Sequence, residues 1–132
     1  MPWHVEYFQE ADGRIPGVEF EDSLERSSNS DERALLGLLD RWTRYAADQG
    51  PLGDGGGHFE KCRTVPVWQI KASRGGRRAR HFFGWDDALD RLVLLSGIVK
   101  GARTRTPPEA YATAQAEWRR YQQTRRVAKE DE

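Results

Sequence analysis

Hydrophobic and polar residues alternate from Val67 to Ser73, which is the pattern of a half-buried β-strand. Trp68 and Ile70 fall on one face of this predicted strand. Gln69 and Lys71 fall on the other face. The segment therefore predicts one apolar side that packs on a core and one polar side.

A glycine pair, Gly75-Gly76, follows this strand and predicts a tight hairpin turn, because glycine adopts the positive φ of such turns without steric cost. The return strand, Arg80–Trp85, alternates as well. His81 shares one face with large aromatic residues, and Arg80 lies on the opposite face. Pairing across the hairpin then allows Arg80 to point the same way as the basic side chain of the preceding strand.

A third strand follows a polar turn at residues 86–90. The segment Leu92–Val99 is apolar on both faces, apart from Ser96 and Gly97, which is typical of a strand covered on both sides. Lys100 ends this strand at the edge of the apolar layer. The three strands together predict an antiparallel meander.

Two helices are predicted before the meander. Residues 17–27 carry Phe20 and Leu24 four positions apart, so that both face inward. A second helix begins with Ser30 as its N-cap, runs to about Asp48 and stops at a Gly-Pro pair. Its apolar residues recur at helical spacing, so we expect the two helices to form a hairpin that packs on the sheet.

A third helix follows the meander. Thr106 is its predicted N-cap, proline suits its first position, and Glu109 completes a capping box. From about Arg125 the chain is highly charged, and we expect residues 125–132 to fray. The apolar stripe of this helix consists of Tyr111, Ala114, Trp118 and Tyr121.

The remaining segments add two strands. Trp3–Gln9 has an imperfect alternation that predicts a first strand, and residues 58–66 predict a short strand that leads into the meander. The order of elements is therefore β-α-α-β-β-β-β-α. We predict a single domain over residues 1–132, of the α+β class. It consists of a small antiparallel, partly mixed sheet with an N-terminal helical hairpin packed on it and a C-terminal helix.

A chain of 132 residues is long enough for one domain with a modest core. It has no apolar run that could span a bilayer, and Met1–Glu10 lacks the hydrophobic region of a signal peptide. Its single cysteine, Cys62, excludes an internal disulfide. These features predict a soluble cytoplasmic protein with no membrane partner. His58 and Cys62 lack the spacing of a metal site, so we expect no bound metal.

The formal net charge is zero, which argues against a strongly basic nucleic-acid binder, but the charges are unevenly distributed. Residues 1–60 carry a net charge of −8, whereas residues 61–106 carry +8. Such asymmetry suggests an anionic partner at the basic part of the chain. The alternative is an acidic helical layer that covers a basic sheet, and charge alone does not separate the two.

Four segments together carry a resemblance to a known family. They are PWHVEYFQEADGRIPGVEFEDSL at the start, VWQIKAS and RARHFF in the meander, and LVLLSGIVKGARTRTPPEAYATAQAEWRRY at the end. On these segments the chain resembles the toxins of bacterial and phage type II toxin–antitoxin systems, the RelE/ParE superfamily, and in particular its HigB-like, phage-derived members. The last segment is the most specific, because it combines an apolar strand, a lysine, a basic loop and a Thr-Pro helix start.

The resemblance implies a RelE-like fold and a metal-independent mRNA endoribonuclease, or mRNA interferase, that acts at the ribosomal A site without a cofactor. The RNA 2′-hydroxyl attacks the neighbouring phosphate, while basic side chains stabilise the developing charge and shuttle protons. The implied partners are the ribosome, mRNA and a cognate antitoxin. The antitoxin of such a system is usually a small helix-turn-helix protein that neutralises the toxin.

The same resemblance suggests catalytic residues. Arg80 matches the arginine of one family strand, and Lys71 and Lys100 match basic positions of the two others. Tyr111 matches an aromatic residue that lies by the scissile nucleotide in some members. His81 is a further acid–base candidate, because histidine titrates near neutrality, although its face favours a position at the edge of the core. Contacts with phosphates or ribosomal RNA are expected from Arg74, Arg77, Arg78, Arg103 and Arg105.

Two departures from the family pattern leave other functions open. Many relatives have Glu and Arg where this chain has Gln69 and Lys71, and many have a pair of lysines where it has only Lys100. One alternative is a ParE-like inhibitor that binds DNA gyrase and cuts no RNA. Another is a phage-derived binding protein on the same scaffold that has lost catalysis. Each basic candidate could also be a solvated strand residue.

Overall fold

The computed structural model describes residues 2–129, and within them the chain forms five strands and three helices. Their order confirms the predicted succession of elements. None of these helices is long and apolar enough to cross a membrane. The elements are β1 (His4–Tyr7), α1 (Pro16–Glu25), α2 (Ser30–Gln49), β2 (Phe59–Lys61), β3 (Trp68–Arg74), β4 (Arg77–Asp86), β5 (Arg91–Gly101) and α3 (Pro108–Thr124).

The five strands form one sheet in the order β1-β5-β4-β3-β2. β1 runs parallel to β5, and the other neighbouring strands are antiparallel, so the prediction of an antiparallel, partly mixed sheet is confirmed. β5 lies between β1 and β4, and its residues Leu92 to Leu95 are all buried. This burial on both faces explains the unbroken apolar run in the sequence.

Helices cover both faces of the sheet, and the chain is a three-layer α+β fold. α1 and α2 pack on one face through buried residues that include Phe20, Leu24, Leu35 and Leu39. α3 packs on the other face through Ala114, Trp118 and Tyr121. Alternate residues of β5 serve the two layers, because successive side chains of a strand point to opposite faces.

The β3–β4 hairpin turns at Gly75 and Gly76, as predicted from the glycine pair. Gly75 has a φ of +57°, which is the left-handed region that glycine adopts without strain. The register that follows places Lys71 opposite Arg80. The turn therefore fixes which basic side chains meet on the sheet.

The start of α2 lies one residue earlier than predicted. Asn29, not Ser30, is the N-cap, and its side-chain oxygen accepts a hydrogen bond from the backbone N–H of Glu32 at 3.0 Å. Asn and Ser are about equally good N-caps, so the residue preference alone does not choose between neighbours. Ser30 becomes the first residue of the helix.

The predicted cap of α3 is also wrong. The helix begins at Pro108, its N-cap is Pro107, and no side chain caps it, so Thr106 does not have the predicted role. The cause is the second proline. A residue that precedes proline is pushed out of the helical region, and Pro107 accordingly has an extended conformation, with φ −60° and ψ 141°.

Contacts continue beyond the end of α3, where we expected the chain to fray. Arg125 ends the helix in a left-handed conformation and binds the buried carboxylate of Asp86 at 2.7 Å. Val127 pairs with Phe8, and the backbone N–H of Ala128 donates to the carbonyl of Tyr7 at 2.8 Å. This segment therefore lies against the first strand. Residues 130–132 lie outside the described part of the chain.

Candidate functional site

Four basic side chains meet on one face of the sheet. Lys71 of β3 lies opposite Arg80 of β4, and Arg78 of β4 lies opposite Lys100 of β5. Residues two apart on a strand, and residues paired across strands, share a face. We call Lys71, Arg78, Arg80 and Lys100 the basic surface. It lies on the same face of the sheet as α3, because Phe82 has the same parity and packs under that helix.

Three of these cations have no acidic partner. Among residues 2–129, neither Arg78, Arg80 nor Lys100 forms an ion pair. Partial burial lowers the pKa of Arg80, and the neighbouring Arg78 lowers it further. The pKa of Lys100 is likewise lowered by burial and then by Arg80 and Arg78. Like charges held this closely repel one another, so an anion bound here would relieve the repulsion.

Backbone carbonyls hold two of the cations in place. The guanidinium of Arg80 donates to the carbonyl of Ala79 at 3.0 Å. The ammonium of Lys100 donates to the carbonyl of Thr104 at 2.6 Å, in the loop that follows β5. These bonds leave the other N–H groups of both side chains for a ligand. The positive charge is therefore preorganised before any ligand binds.

Lys71 differs from the other three cations, because it is paired with a carboxylate. Its ammonium lies 3.0 Å from Glu60, which is on β2 directly opposite Gln69. The side-chain amide of Gln69 also donates to Glu60, at 3.3 Å. Sequence reasoning missed Glu60, because the short strand 58–66 was predicted without a register and no signal placed this carboxylate beside Lys71.

Tyr111 of α3 lies near the basic surface. It is in the first turn of α3, it is partly buried, and its ring packs edge-on against Phe82 with centroids 5.5 Å apart. It lines a cleft of about 380 Å³ together with Glu60 and Gln69. Glu60, which lines this cleft, lies 3.0 Å from the ammonium of Lys71 on the basic surface. The cleft and the basic surface are thus neighbours.

His81 does not reach this surface. It lies on the opposite face of β4, only 1% exposed, with its ring 5.0 Å from that of Phe20. Its Nε2 is 2.8 Å from the carbonyl of Leu95, so Nε2 carries a proton and donates. Burial lowers the pKa of His81 to about 4. The side chain is a neutral core residue, in agreement with the face on which its parity places it.

The arginines of the hairpin divide into two groups. Arg74 lies 3.9 Å from Asp31, and Arg77 lies 3.3 Å from Glu32. Both acids are in the first turn of α2, so these pairs join the hairpin to the helix. Arg78, the next residue along the strand, belongs instead to the basic surface. Arg103 and Arg105 are exposed in the loop after β5.

This division bears on the uneven charge of the sequence. The acidic helices do neutralise part of the basic segment, at Arg74 and Arg77. They cover the opposite face of the sheet, however, and among residues 2–129 their acids form no ion pair with Arg78, Arg80 or Lys100. An acidic layer over a basic sheet therefore accounts for only some of the charge asymmetry.

Two other cavities differ from each other in chemistry. The larger of the two, about 730 Å³, lies at the far end of the sheet and is lined by Trp3, Trp68, Trp85 and Trp118, with no lysine or arginine among its lining residues. A phosphate would find no cation there. A cleft of about 410 Å³ adjoins the basic surface and is lined by Lys71, Arg78 and Arg80, with the stacked rings of Trp42 and His58 beside them.

Among residues 2–129, the other titratable side chains do not form a metal site, and Cys62 is not an activated nucleophile. Within residues 2–129, no three His, Cys, Asp or Glu side chains are placed to share a metal ion. Cys62 is buried, and this burial, with the charge of Glu60, raises the pKa of its thiol to about 11. The thiol therefore stays protonated at neutral pH and is a poor nucleophile.

The fold and the site together define a class: a small α+β protein whose sheet carries preorganised positive charge that no ion pair among residues 2–129 compensates at Arg78, Arg80 and Lys100, next to a polar cleft that holds Tyr111. Comparison of the sequence with protein-family models gives no match, and comparison with curated proteins gives none either.

Proposed function

We propose that this protein is the toxin of a type II toxin–antitoxin system, and that it cleaves mRNA at the ribosome without a metal ion. The observation that carries the proposal is the basic surface, in which Arg78, Arg80 and Lys100 lie together without an acidic partner among residues 2–129. The family resemblance of the sequence supports it independently. A cytoplasmic location and neutralisation by a cognate helix-turn-helix antitoxin belong to the same proposal.

The reaction needs stabilisation of negative charge. The 2′-hydroxyl of one nucleotide attacks its own 3′-phosphate, the bond to the next 5′-oxygen breaks, and the products are a 2′,3′-cyclic phosphate and a 5′-hydroxyl. Negative charge grows on the phosphoryl oxygens in between. Arg80, flanked by Arg78 and Lys100, supplies positive charge at a fixed position, which is the arrangement that lowers such a barrier most.

Proton transfer falls to the remaining members of the site. A proton leaves the 2′-hydroxyl and another reaches the 5′-oxygen. His81 and Cys62 are both buried and unsuited to this task. Burial lowers the pKa of His81 to about 4, so it is a weak base, and raises the pKa of the Cys62 thiol to about 11, so it keeps its proton. We therefore assign proton transfer to the basic side chains, with Lys71 and Lys100 on either side of Arg80.

A second candidate function is a binding protein on this scaffold that has lost catalysis. The observation in its favour is the ion pair of Lys71 with Glu60, which neutralises one of the four cations. Such a protein would still bind RNA through Arg78, Arg80 and Lys100. Nucleolytic activity separates it from the first candidate.

The test is induction of the wild type, Arg80→Ala and Arg119→Ala in bacteria, with growth curves and mapping of transcript 5′ ends. Arg119 is a matched control, because it is exposed on α3 and makes no ion pair among residues 2–129. We expect growth arrest and new 5′-hydroxyl ends in the wild type and in Arg119→Ala. Cleavage should fall by about 100-fold or more in Arg80→Ala, the usual effect of removing one preorganised donor.

Two outcomes contradict the proposal. Arrest without new transcript ends excludes cleavage, and a DNA gyrase supercoiling assay then tests the ParE-like alternative. Normal growth of the wild type at high expression excludes toxicity and leaves the binding protein.

A further inference from the structure

The cleft of about 410 Å³ lies where β2 ends and leaves the edge of β3 without a neighbouring strand. β2 pairs with β3 as far as Ile70, and the backbone N–H of Lys71 makes one further bond to the carbonyl of His58 at 2.8 Å. Ser73 lies two residues further along β3, so its backbone N–H points the same way, beyond the end of β2. The cleft therefore opens onto a sheet edge that presents polar backbone groups.

The charged side chains of this cleft are all cations. Lys71, Arg78 and Arg80 line it, each of them partly exposed, and no aspartate or glutamate does so in the described part of the chain. Glu60 neutralises Lys71, but Arg78 and Arg80 have no acidic partner among residues 2–129. Charge complementarity therefore predicts that an anionic group binds in the cleft.

An aromatic pair forms another part of the lining. The rings of Trp42 and His58 are parallel to within 6°, with centroids 3.4 Å apart, and both side chains are partly exposed. The guanidinium of Arg41 lies 5.3 Å from the centroid of the Trp42 ring and adds positive charge beside the pair. Cations that follow a phosphate backbone, next to aromatic rings that stack bases, are the usual means of binding single-stranded nucleic acid.

We infer that this cleft binds a second nucleotide of the RNA, next to the one at Arg80, with its phosphate on Arg78 and its base against the Trp42–His58 pair. The inference rests on the proposed function, and it leads the RNA from the basic surface over the free edge of β3 towards α2. Trp42 and His58 lie outside the four segments that carry the family resemblance. An acidic peptide would use the cations of the cleft but not its rings.

The test measures binding rather than cleavage. Fluorescence anisotropy would compare labelled 2′-O-methyl pentauridylates, which cannot be cleaved, either intact or with one abasic residue at each position in turn. Loss of the base that lies in the cleft should weaken binding about fivefold or more, as for one base stacked on an aromatic side chain. A blocked tetraglutamate, which matches the charge of the oligonucleotide, should also bind about fivefold or more weakly, because it has no base.

Three variants locate the effect. Trp42→Phe keeps an aromatic ring and should retain the sensitivity to the missing base. Trp42→Leu removes the ring, and the loss at that one position should fall below about twofold. His58→Ala should act in the same way from the loop before β2, and it keeps the test decisive if Trp42→Leu does not fold.

The outcomes separate the inference from the function on which it rests. Equal binding of the intact and all abasic oligonucleotides overturns the inference and leaves the proposed function standing. Equal binding of tetraglutamate overturns it too and assigns the cleft to an acidic peptide, and so does a base sensitivity that is unchanged in both Trp42→Leu and His58→Ala. Failure to bind any oligonucleotide counts against both. Base sensitivity that these variants abolish, without cleavage in cells, supports the inference and contradicts the nuclease.

Discussion

At the scale of single residues, one step along β4 separates a functional candidate from a core residue. Arg80 lies on the α3 side of the sheet with its guanidinium held by a carbonyl, whereas His81 is sealed under α1 on the other side. A strand makes this separation unavoidable, since adjacent side chains point to opposite faces. The histidine therefore affects stability rather than chemistry.

Burial of His81 predicts a dependence of stability on pH. Its pKa is about 4 in the folded protein and about 6.5 in an unfolded chain. Between these values the unfolded state binds a proton that the folded state does not. The free energy of unfolding should therefore fall as the pH is lowered from about 6.5 to about 4, by up to about 3 kcal/mol from this residue.

Urea unfolding of the wild type and His81→Gln at pH values on both sides of this range measures the effect. Glutamine keeps a donor for the carbonyl of Leu95 but does not titrate. Glu21 and Glu117 have pKa values raised by burial and act in the opposite direction, equally in both proteins. The difference between the two curves isolates His81, and parallel curves would show that it titrates normally.

At the scale of elements, the residue at which a helix begins depends on which side chain actually caps it, and the N-cap preferences of the residue types do not decide between neighbouring candidates. α2 begins after Asn29, whose side chain caps the helix, and α3 begins after Pro107, which offers no cap. Asn29→Ala should therefore lower the free energy of unfolding by about 1 kcal/mol. Thr106→Ala should change it by less than about 0.5 kcal/mol, as for an ordinary surface substitution.

Thermal or urea unfolding of the two variants, side by side, decides between these caps. An equal loss in both would mean that Thr106 also stabilises its helix. A loss in Thr106→Ala alone would restore the assignment made from the sequence.

The elements that could be predicted are those with a strong period. The alternation of β3 and β4, the apolar run of β5 and the helical stripes gave the order of elements and the faces correctly, because burial imposes those periods. β2 has only three residues, too few to carry a register. The sequence therefore contained no signal that Glu60 would lie opposite Gln69 and bind Lys71.

At the scale of the whole molecule, a net charge of zero conceals two different kinds of basic residue. Arg77 is paired with Glu32 of α2, while its neighbour Arg78 has no acidic partner among residues 2–129. The first stabilises the packing of the hairpin on the helix, and the second is available to an anion. Ionic strength separates these two roles.

Affinity for single-stranded RNA should depend on salt through the unpaired cations of the basic surface, and not through Arg77. Each phosphate contact contributes a slope of about −0.7 to a plot of log K against log salt, so Arg78, Arg80 and Lys100 together contribute about −2. Arg78→Ala should reduce the magnitude of this slope by about 0.7 and leave the thermal midpoint nearly unchanged. Arg77→Ala should leave the slope unchanged, and the loss of its surface ion pair should lower the free energy of unfolding by less than about 1 kcal/mol.

Equal slopes for the wild type, Arg78→Ala and Arg77→Ala would mean that the sheet does not contact phosphate. An equal reduction in both variants would mean that RNA displaces Glu32 from Arg77.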